Sequence, residues 1–505
     1  MQYSIISSPL DFMFRPRAIA VAGVSDNESG INMGRDFIKA LLNAGFPGAL
    51  YPLNPSGGEI LGLKIWKHVR EIPGPIDYVI SAVPARYARH LLNDCIEKGV
   101  KIVHFFTAGF GEIENEGGKR LQADIYKMAK EHGIRIIGPN CMGVYCPASG
   151  LSFARDLPNQ PGFPTTSGEV GFISQSGGNA IYFVRKAANA GIYCSKVVSY
   201  GNAIDVNESD LLEYLAKDAD TKIIAAYIEG VQDGRRFIRL LSETSETKPV
   251  IIFKAGDTEE GTRAAASHTG AMSGAKVLWP HLLKQTGAIQ AGSIDEIVDL
   301  TLLFLTIKPP KGRNAVIFGT GGGATVKAAD DCALSGLELP PIPADLRLRL
   351  RDIFGTEAGN IFTNPLDLMP ILGTEELVDT IKMVVEGMGI DLLILQVAFD
   401  TWSLMDRAYS IHYYVDCTIR LKSFIDKPIV AVLHYVGSGE AEDLATCERA
   451  RLLESGIPVF QSIERAARAV DRLIRYSQRF GAKQVILCAS DLAHFSVKNC
   501  HKRAY

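Results

Sequence analysis

The chain has 505 residues, which predicts about three domains at roughly 150 residues each. Its 53 Lys and Arg nearly balance 56 Asp and Glu, and no basic stripe with interleaved aromatic residues is present, so nucleic acid is not expected as a partner. No run of 18 or more apolar residues and no leader pattern occurs, which predicts a cytoplasmic protein with no membrane partner.

The cysteines and histidines give no sign of a metal centre. The nine cysteines are scattered, with Cys141 and Cys146 the one close pair, and the ten histidines form neither HxxxH nor HExxH. Reduced thiols and no protein-bound metal are therefore expected. Cys141 itself is interpreted as a small buried residue and not as a thiol nucleophile.

One architectural unit occurs three times along the chain. An apolar strand runs into a Gly-containing turn and then a helical pattern, with strands AIAVA at 18–22, VGFIS at 170–174 and AVIFG at 315–319. Further apolar strands alternate with helical patterns, which favours doubly wound parallel sheets and an α/β fold throughout.

Each of the three turns is a candidate anion site, because a strand there delivers backbone N–H groups to a helix N-terminus. The alternative is that such turns only connect strands to helices. None of them matches GxGxxG or the Walker pattern, so a classical dinucleotide site or ATPase is weakly supported.

Domain boundaries are predicted where turn-forming residues accumulate. The Pro-, Gly- and Ser-rich segment 146–169 separates the first unit from the second, and KPPKGRN at 308–314 separates the second from the third. The predicted domains are 1–147, 148–309 and 310–480, with a tail at 481–505 whose role the sequence does not indicate.

The turn after the second unit's first strand is a candidate site for a phosphoryl group. Ser174, Ser176, Gly177 and Gly178 lie where the strand becomes a helix, so hydroxyls, N–H groups and the helix dipole converge there. The sequence predicts that this turn holds a phosphoryl group.

A single histidine, His268, lies in AAASHTGAMSG at 264–274, where its neighbours are small. A histidine that attacks phosphorus needs an accessible neutral ring nitrogen and a partner for its other nitrogen. Glu229, at the end of the strand IIAAYIEG, is the candidate partner. The alternatives are a surface or core histidine and a glutamate solvated just beyond its strand.

These segments together resemble the NDP-forming acyl-CoA synthetases, whose α part is related to the succinyl-CoA synthetase α subunit. The resemblance covers roughly residues 10 to 475. Its motifs are VAGVS at 21–25, YPLNP at 51–55, AVPA at 82–85, TAGFGE at 107–112, GPNCMG at 138–143, GFISQSGG at 171–178, SYGNAIDV at 199–206, AAYIEG at 225–230, SHTGA at 267–271 and TNPLDL at 363–368.

The resemblance implies a Rossmann-type CoA-binding domain followed by two flavodoxin-like domains. The residues on motif positions near coenzyme A are Gly23, Ser25, Pro55, Val83, Ala108, Gly109 and Asn140. His268 falls on the phosphohistidine position, Glu229 on the glutamate that orients it, and Ser174, Ser176, Gly177 and Gly178 on the phosphate-holding turn. One departure is the first glycine turn, VAGVSDNESGINMG, which is longer and more acidic than is usual in the family.

By the same resemblance the chain is the α subunit of an acid–CoA ligase. It interconverts acyl-CoA, NDP and phosphate with carboxylic acid, CoA and NTP through an acyl phosphate and a phosphohistidine. The chain contains no recognisable ATP-grasp region, so an ATP-grasp β subunit is expected to bind ATP/ADP or GTP/GDP with Mg²⁺.

Two other functions remain open at this point. One is a CoA-dependent acyl or carbamoyl transferase without nucleotide chemistry, and the other is a CoA-binding or acyl-CoA-sensing module. The sequence identifies neither the acyl group nor the choice of ADP or GDP, and it does not give the subunit stoichiometry or the physiological direction.

Overall fold

The computed structural model describes residues 8–25, 32–113, 115–154, 162–256, 258, 260–261, 278–319, 322–356, 358–368, 372–398, 407–434 and 439–481. The chain divides into two compact units, Met1–Val298 and Asp299–Tyr505. None of the described helices combines the length and the apolar character that a membrane-spanning segment needs.

The first sheet has five parallel strands in the order β2-β1-β5-β6-β7. Its strands are β1 (Ala18–Ala22), β2 (Ala49–Leu53), β5 (Tyr78–Ser81), β6 (Ile102–Phe105) and β7 (Arg135–Ile137). Between β2 and β5, the short strands β3 (Glu59–Ile60) and β4 (Leu63–Lys64) pair antiparallel in a separate two-stranded sheet. The helices of this region are α1 (Asp11–Phe14), α2 (Met33–Asn43), α3 (Ala88–Lys98) and α4 (Glu116–Glu131). All five residues of β1 are buried, because helices cover both faces of a parallel sheet.

The second sheet has six strands in the order β13-β12-β11-β9-β10-β8. The strands are β8 (Gly143–Tyr145), β9 (Val170–Ser174), β10 (Cys194–Ser199), β11 (Ile223–Ile228), β12 (Val250–Lys254) and β13 (Ile289–Ala291). The helices are α5 (Gly177–Asn189), α6 (Glu208–Lys217), α7 (Gly234–Ser245), α8 (Leu278–Thr286) and α9 (Ile294–Thr306). All pairings are parallel except β8 with β10.

The third sheet belongs to the second compact unit and has the order β15-β16-β14-β17-β18-β19. The strands are β14 (Ala315–Gly319), β15 (Ile361–Phe362), β16 (Leu366–Asp367), β17 (Leu392–Ala398), β18 (Ile429–His434) and β19 (Val459–Phe460). The helices are α10 (Gly322–Leu334), α11 (Ala344–Phe354), α12 (Thr374–Met388), α13 (Arg407–Leu421), α14 (Gly439–Glu454) and α15 (Ile463–Phe480). All pairings are parallel except β15 with β16.

The predicted α/β class, built on largely parallel sheets with crossover helices, is confirmed. Strand β8 lies within the predicted first domain but pairs with β10 of the second sheet, so the chain joins the second sheet before the turn-rich segment 146–169. The boundaries 1–147, 148–309 and 310–480 stay predictions. Nearly all of the predicted tail, residues 482–505, lies outside the described residues.

Candidate active site

The predicted phosphate turn joins β9 to α5. Ser176 is the N-cap of α5, and its Oγ accepts a hydrogen bond from the backbone N–H of Asn179 at 3.3 Å. Gly177 and Gly178 are the first two residues of the helix, where backbone N–H groups have no intrahelical acceptor. The turn therefore has the donors and the positive end of the helix dipole that an anion needs.

Ser174 has a different position from Ser176. Its side chain is fully buried, and its Oγ donates to the carbonyl oxygen of Ser176 at 2.6 Å. The Ser174 hydroxyl thus stabilises the turn by an internal hydrogen bond. Ser176 is half-buried, and its hydroxyl proton is available to another acceptor.

Glu229 lies beside this turn because β9 and β11 are neighbours in the sheet. The register pairs Tyr227 with Ser174, and Glu229 follows two residues later, just beyond the end of β11. Glu229 is buried, with 7% of its surface exposed. This burial excludes the alternative of a glutamate solvated beyond its strand.

Gln175 holds the backbone of this glutamate. The Oε1 atom of buried Gln175 accepts from the backbone N–H of Glu229 at 2.6 Å and of Gly230 at 3.0 Å. The Tyr227 phenol lies near the Glu229 carboxylate and the Asn179 side chain. Burial raises the pKa of Tyr227 well above its ordinary value, and the charge of Glu229 adds to that effect, so the phenol stays protonated.

The sequence motifs do not single out Gln175 or Tyr227, although Gln175 lies inside SQSGG and Tyr227 inside YIEG. The hydrogen bonds of Gln175 run from the turn after β9 to the end of β11, which is distant in sequence. No local pattern predicts that pairing.

The predicted CoA residues all lie beyond the carboxyl ends of the parallel strands of the first sheet. Gly23 and Ser25 follow β1, Pro55 follows β2, Val83 follows β5, Ala108 and Gly109 follow β6, and Asn140 follows β7. In open parallel sheets this edge is where ligands bind. The structure therefore brings these seven residues to one edge.

Two of these turns are tightly constrained. Gly23 has φ +90°, and a Cβ there would lie 2.7 Å from the carbonyl oxygen of Ala82, so no other residue fits without movement. The Thr107 Oγ1 donates to the Val83 carbonyl at 2.8 Å and ties the turn after β6 to the turn after β5. These contacts hold the turns after β1, β5 and β6 against one another.

The GPNCMG loop, residues 138–143, connects this edge to the phosphate turn. The Met142 N–H donates to Ser199 Oγ at 3.1 Å, and the Asn202 N–H donates to the Pro139 carbonyl at 2.9 Å. A Cβ on Gly177 would lie 2.7 Å from the Met142 side chain, which places the loop directly on the first turn of α5. The CoA edge and the phosphate turn therefore meet within the first compact unit.

Cys141, in the same loop, is buried, and burial raises the pKa of its thiol well above the ordinary value. A thiol of that kind is a poor nucleophile.

His268 lies outside the described residues, as do the other residues of its motif. The chain enters this segment from β12, which pairs with β11 so that Lys254 lies opposite Ile228, the residue before Glu229. Within the described ranges, no group of three or more His, Cys, Asp or Glu side chains is arranged to hold a metal ion.

Comparison with known proteins agrees with this geometry. Residues 17–147 match the family described as CoA binding domain, and residues 167–304 match the succinyl-CoA ligase like flavodoxin domain. The chain is 35% identical over 478 residues to subunit alpha of acetate–CoA ligase (ADP-forming) II from Pyrococcus furiosus, covering 94% of this chain and 99% of that protein.

The chain belongs to the NDP-forming acyl-CoA synthetases. It is also 34% identical to subunit alpha of acetate–CoA ligase (ADP-forming) I from Pyrococcus furiosus, covering 93% of this chain and 98% of that protein. Among solved structures, a dinucleotide-forming acetyl-coenzyme A synthetase 1 from Candidatus Korarchaeum cryptofilum, in complex with phosphate and ADP, matches with a TM-score of 0.76 at 30% identity. That match covers 95% of this chain and 99% of the other.

Membership in the NDP-forming acyl-CoA synthetases confirms several predictions at once. The predicted family, the CoA-binding domain followed by flavodoxin-like architecture, and the enzyme class, an acid–CoA ligase that uses coenzyme A and a nucleotide, are all confirmed. The assignment of individual residues to roles in the reaction stays a prediction.

Proposed function

We propose that this chain is the α subunit of an acid–CoA ligase in which His268 carries the phosphoryl group and Glu229 orients it. The observation that carries the proposal is the meeting of three features in one place: the CoA edge of the first sheet, the phosphate turn at Ser176, and the buried carboxylate of Glu229 beside that turn.

The first step is the exchange between thioester and phosphate. Phosphate oxygen attacks the thioester carbonyl of the acyl-CoA, the carbon–sulfur bond breaks, and CoA leaves as the thiol after gaining a proton. Gly23, Ser25, Pro55, Val83, Ala108, Gly109 and Asn140 are the residues proposed to line the CoA path. The loop 138–143 leads from that path to the phosphate turn, so the acyl phosphate forms where its phosphoryl group can be held.

The second step transfers the phosphoryl group to the enzyme. A neutral ring nitrogen of His268 attacks phosphorus, the bond from phosphorus to the acyl oxygen breaks, and the carboxylate leaves. The N–H groups at Gly177 and Gly178 and the hydroxyl of Ser176 hold the phosphoryl oxygens, because these donors lie at the positive end of α5. Glu229 accepts from the other ring nitrogen and stabilises the charge that the ring gains.

The third step passes the phosphoryl group from His268 to a nucleoside diphosphate on a partner subunit. The two Pyrococcus furiosus relatives, covered over almost their whole length, are named as alpha subunits, which supports a hetero-oligomer. We propose an ATP-grasp β subunit as the partner, with Mg²⁺ bound alongside the nucleotide. ADP is the proposed nucleotide and acetate the first acid to test, on the names of the same relatives. A cytoplasmic location belongs to the same proposal and rests on composition.

The test is reconstitution with a candidate ATP-grasp subunit. We expect ATP to form only when acetyl-CoA or another acyl-CoA, phosphate, ADP and Mg²⁺ are all present, and to be lost in the His268→Ala variant while CoA still binds. If CoA binds but no acyl-CoA supports ATP or GTP formation with any candidate partner, the ligase assignment falls, and a nucleotide-free transferase or an acyl-CoA-binding module takes its place.

A further inference from the structure

Glu229 is held at its backbone by a side chain from the phosphate turn. Gln175 lies between Ser174 and Ser176, is 95% buried, and uses one oxygen to accept two N–H groups, those of Glu229 and Gly230, at 2.6 and 3.0 Å. The Gln175 N–H in turn donates to the Tyr227 carbonyl at 3.2 Å. The turn and the end of β11 are therefore joined in both directions.

The phenol of Tyr227 lies near the Glu229 carboxylate, and Asn179 in the first turn of α5 lies near the same phenol. Asn179 is also the residue whose N–H is capped by Ser176. The Glu229 carboxylate therefore lies beside the phosphate turn, and the hydrogen bonds to Gln175 hold its backbone there.

We propose that Gln175 is a positioning residue that fixes the backbone of Glu229 relative to the phosphate turn, so that its carboxylate is presented in a single orientation. This inference rests on the proposed role of Glu229. The backbone at the end of a strand is mobile unless it is held, and misplacement of a reacting group by about 1 Å can slow a reaction by roughly 100-fold.

The choice of residue at position 175 supports a role of this kind. Burying an amide is unfavourable unless it is hydrogen-bonded, so an apolar side chain would fill the same space at lower cost. Both N–H groups that Gln175 Oε1 accepts belong to Glu229 and the residue after it. The polar side chain therefore serves the segment that carries Glu229.

The first test compares Gln175→Met, which keeps the length but removes the acceptor, with Gln175→Glu, which keeps an acceptor oxygen. We expect Gln175→Met to slow phosphorylation of the enzyme by labelled phosphate and acyl-CoA about 10- to 100-fold, with the KM for acyl-CoA within about twofold of the parent. Gln175→Glu keeps an acceptor for both N–H groups but adds a negative charge beside the phosphate turn, so it is the control for hydrogen exchange and not for the rate.

The second test asks whether Gln175 acts through Glu229. In a Glu229→Ala background, Gln175→Met is expected to cause less than about a threefold further loss, because residues that act as one unit are not additive. Equal fold-changes in both backgrounds would show a role in general stability and overturn the inference, as would wild-type phosphorylation in Gln175→Met.

Hydrogen exchange separates this inference from the proposed function. The Gln175→Met variant should exchange the amides of Glu229 and Gly230 faster than the parent, and Gln175→Glu should not, whether or not the enzyme is phosphorylated. If exchange behaves so but the parent protein takes no label, the hydrogen-bonded geometry stands and the phosphohistidine role falls. If exchange at these amides is unchanged in Gln175→Met, the inference itself is refuted.

Discussion

Replacing Ser176 with alanine separates two roles of its hydroxyl, and the chain supplies a matched control. Ser176 caps α5 by accepting from an N–H three residues on at 3.3 Å, and Ser462 caps α15 in the same way at 3.2 Å. Loss of such a cap costs about 1 kcal/mol of helix stability. The two alanine variants should therefore loosen their helices equally.

The expected difference between the two variants lies in catalysis. The Ser176 hydroxyl can still donate its proton to a phosphoryl oxygen while it accepts from Asn179, and a hydrogen bond to a charged group contributes about 1.5–3 kcal/mol. At about 1.4 kcal/mol per factor of ten, Ser176→Ala should slow phosphorylation of the enzyme by roughly 10- to 100-fold. Ser462→Ala lies in the third sheet's domain and should leave the rate unchanged.

Two assays on the purified variants check this. Hydrogen exchange in the first turn of each helix reports the capping loss, and a single-turnover experiment with labelled phosphate and acyl-CoA reports the rate. We expect the two variants to show the same increase in hydrogen exchange at their helix starts, and only Ser176→Ala to lose phosphorylation rate. A wild-type rate in Ser176→Ala would refute the reasoning, because the hydroxyl would then be a cap and nothing more.

Two further predictions concern the frame of the site. Gly201 has φ +54°, and a Cβ there would lie 2.2 Å from the Pro139 carbonyl oxygen. Gly99, at φ +72°, has open space around it, so Gly99→Ala carries only the backbone cost of about 1–2 kcal/mol. Gly201→Ala should therefore lower the thermal midpoint by several degrees more than Gly99→Ala. Equal midpoints would contradict the predicted clash. Burial lowers the pKa of His104 to about 4 from 6.5, against the opposing hydrogen bond with the Cys141 carbonyl. The unfolded chain therefore binds this proton more readily than the folded one. The stability that neutral His104 contributes is present above pH 6.5 and is lost as pH falls towards 4. His104→Gln should remove roughly 3 kcal/mol of that pH dependence in urea unfolding, and an unchanged pH slope would show that His104 is not the group involved.

Local pattern accounts for much of the fold. Apolar runs such as 18–22 and 315–319 predict buried parallel strands, and the structure has strands over those residues because both faces of each sheet are covered. Short strands without such a run were not predicted. β8 is three residues long and is defined by its antiparallel pairing with β10, which only the folded chain brings to it.

In the site too, some residues could be predicted from local sequence and others could not. Ser176, Gly177 and Glu229 could be predicted because strand ends and helix starts are visible in sequence, and parallel strands deliver their ends to one edge. The hydrogen bonds by which Gln175 holds Glu229 and Gly230 depend on the register between β9 and β11. Sequence alone does not contain that register.

The most direct test of the account is the location of the phosphoryl group on the enzyme. The purified protein should be incubated with labelled phosphate and a panel of acyl-CoAs, and the modified residue identified by mass spectrometry. We expect an acid-labile, base-stable label on His268 that is absent from His268→Ala, and the acyl-CoA that drives it identifies the substrate class. A label on any other residue, or CoA binding with no label even when the partner subunit is present, would contradict the proposed role of His268.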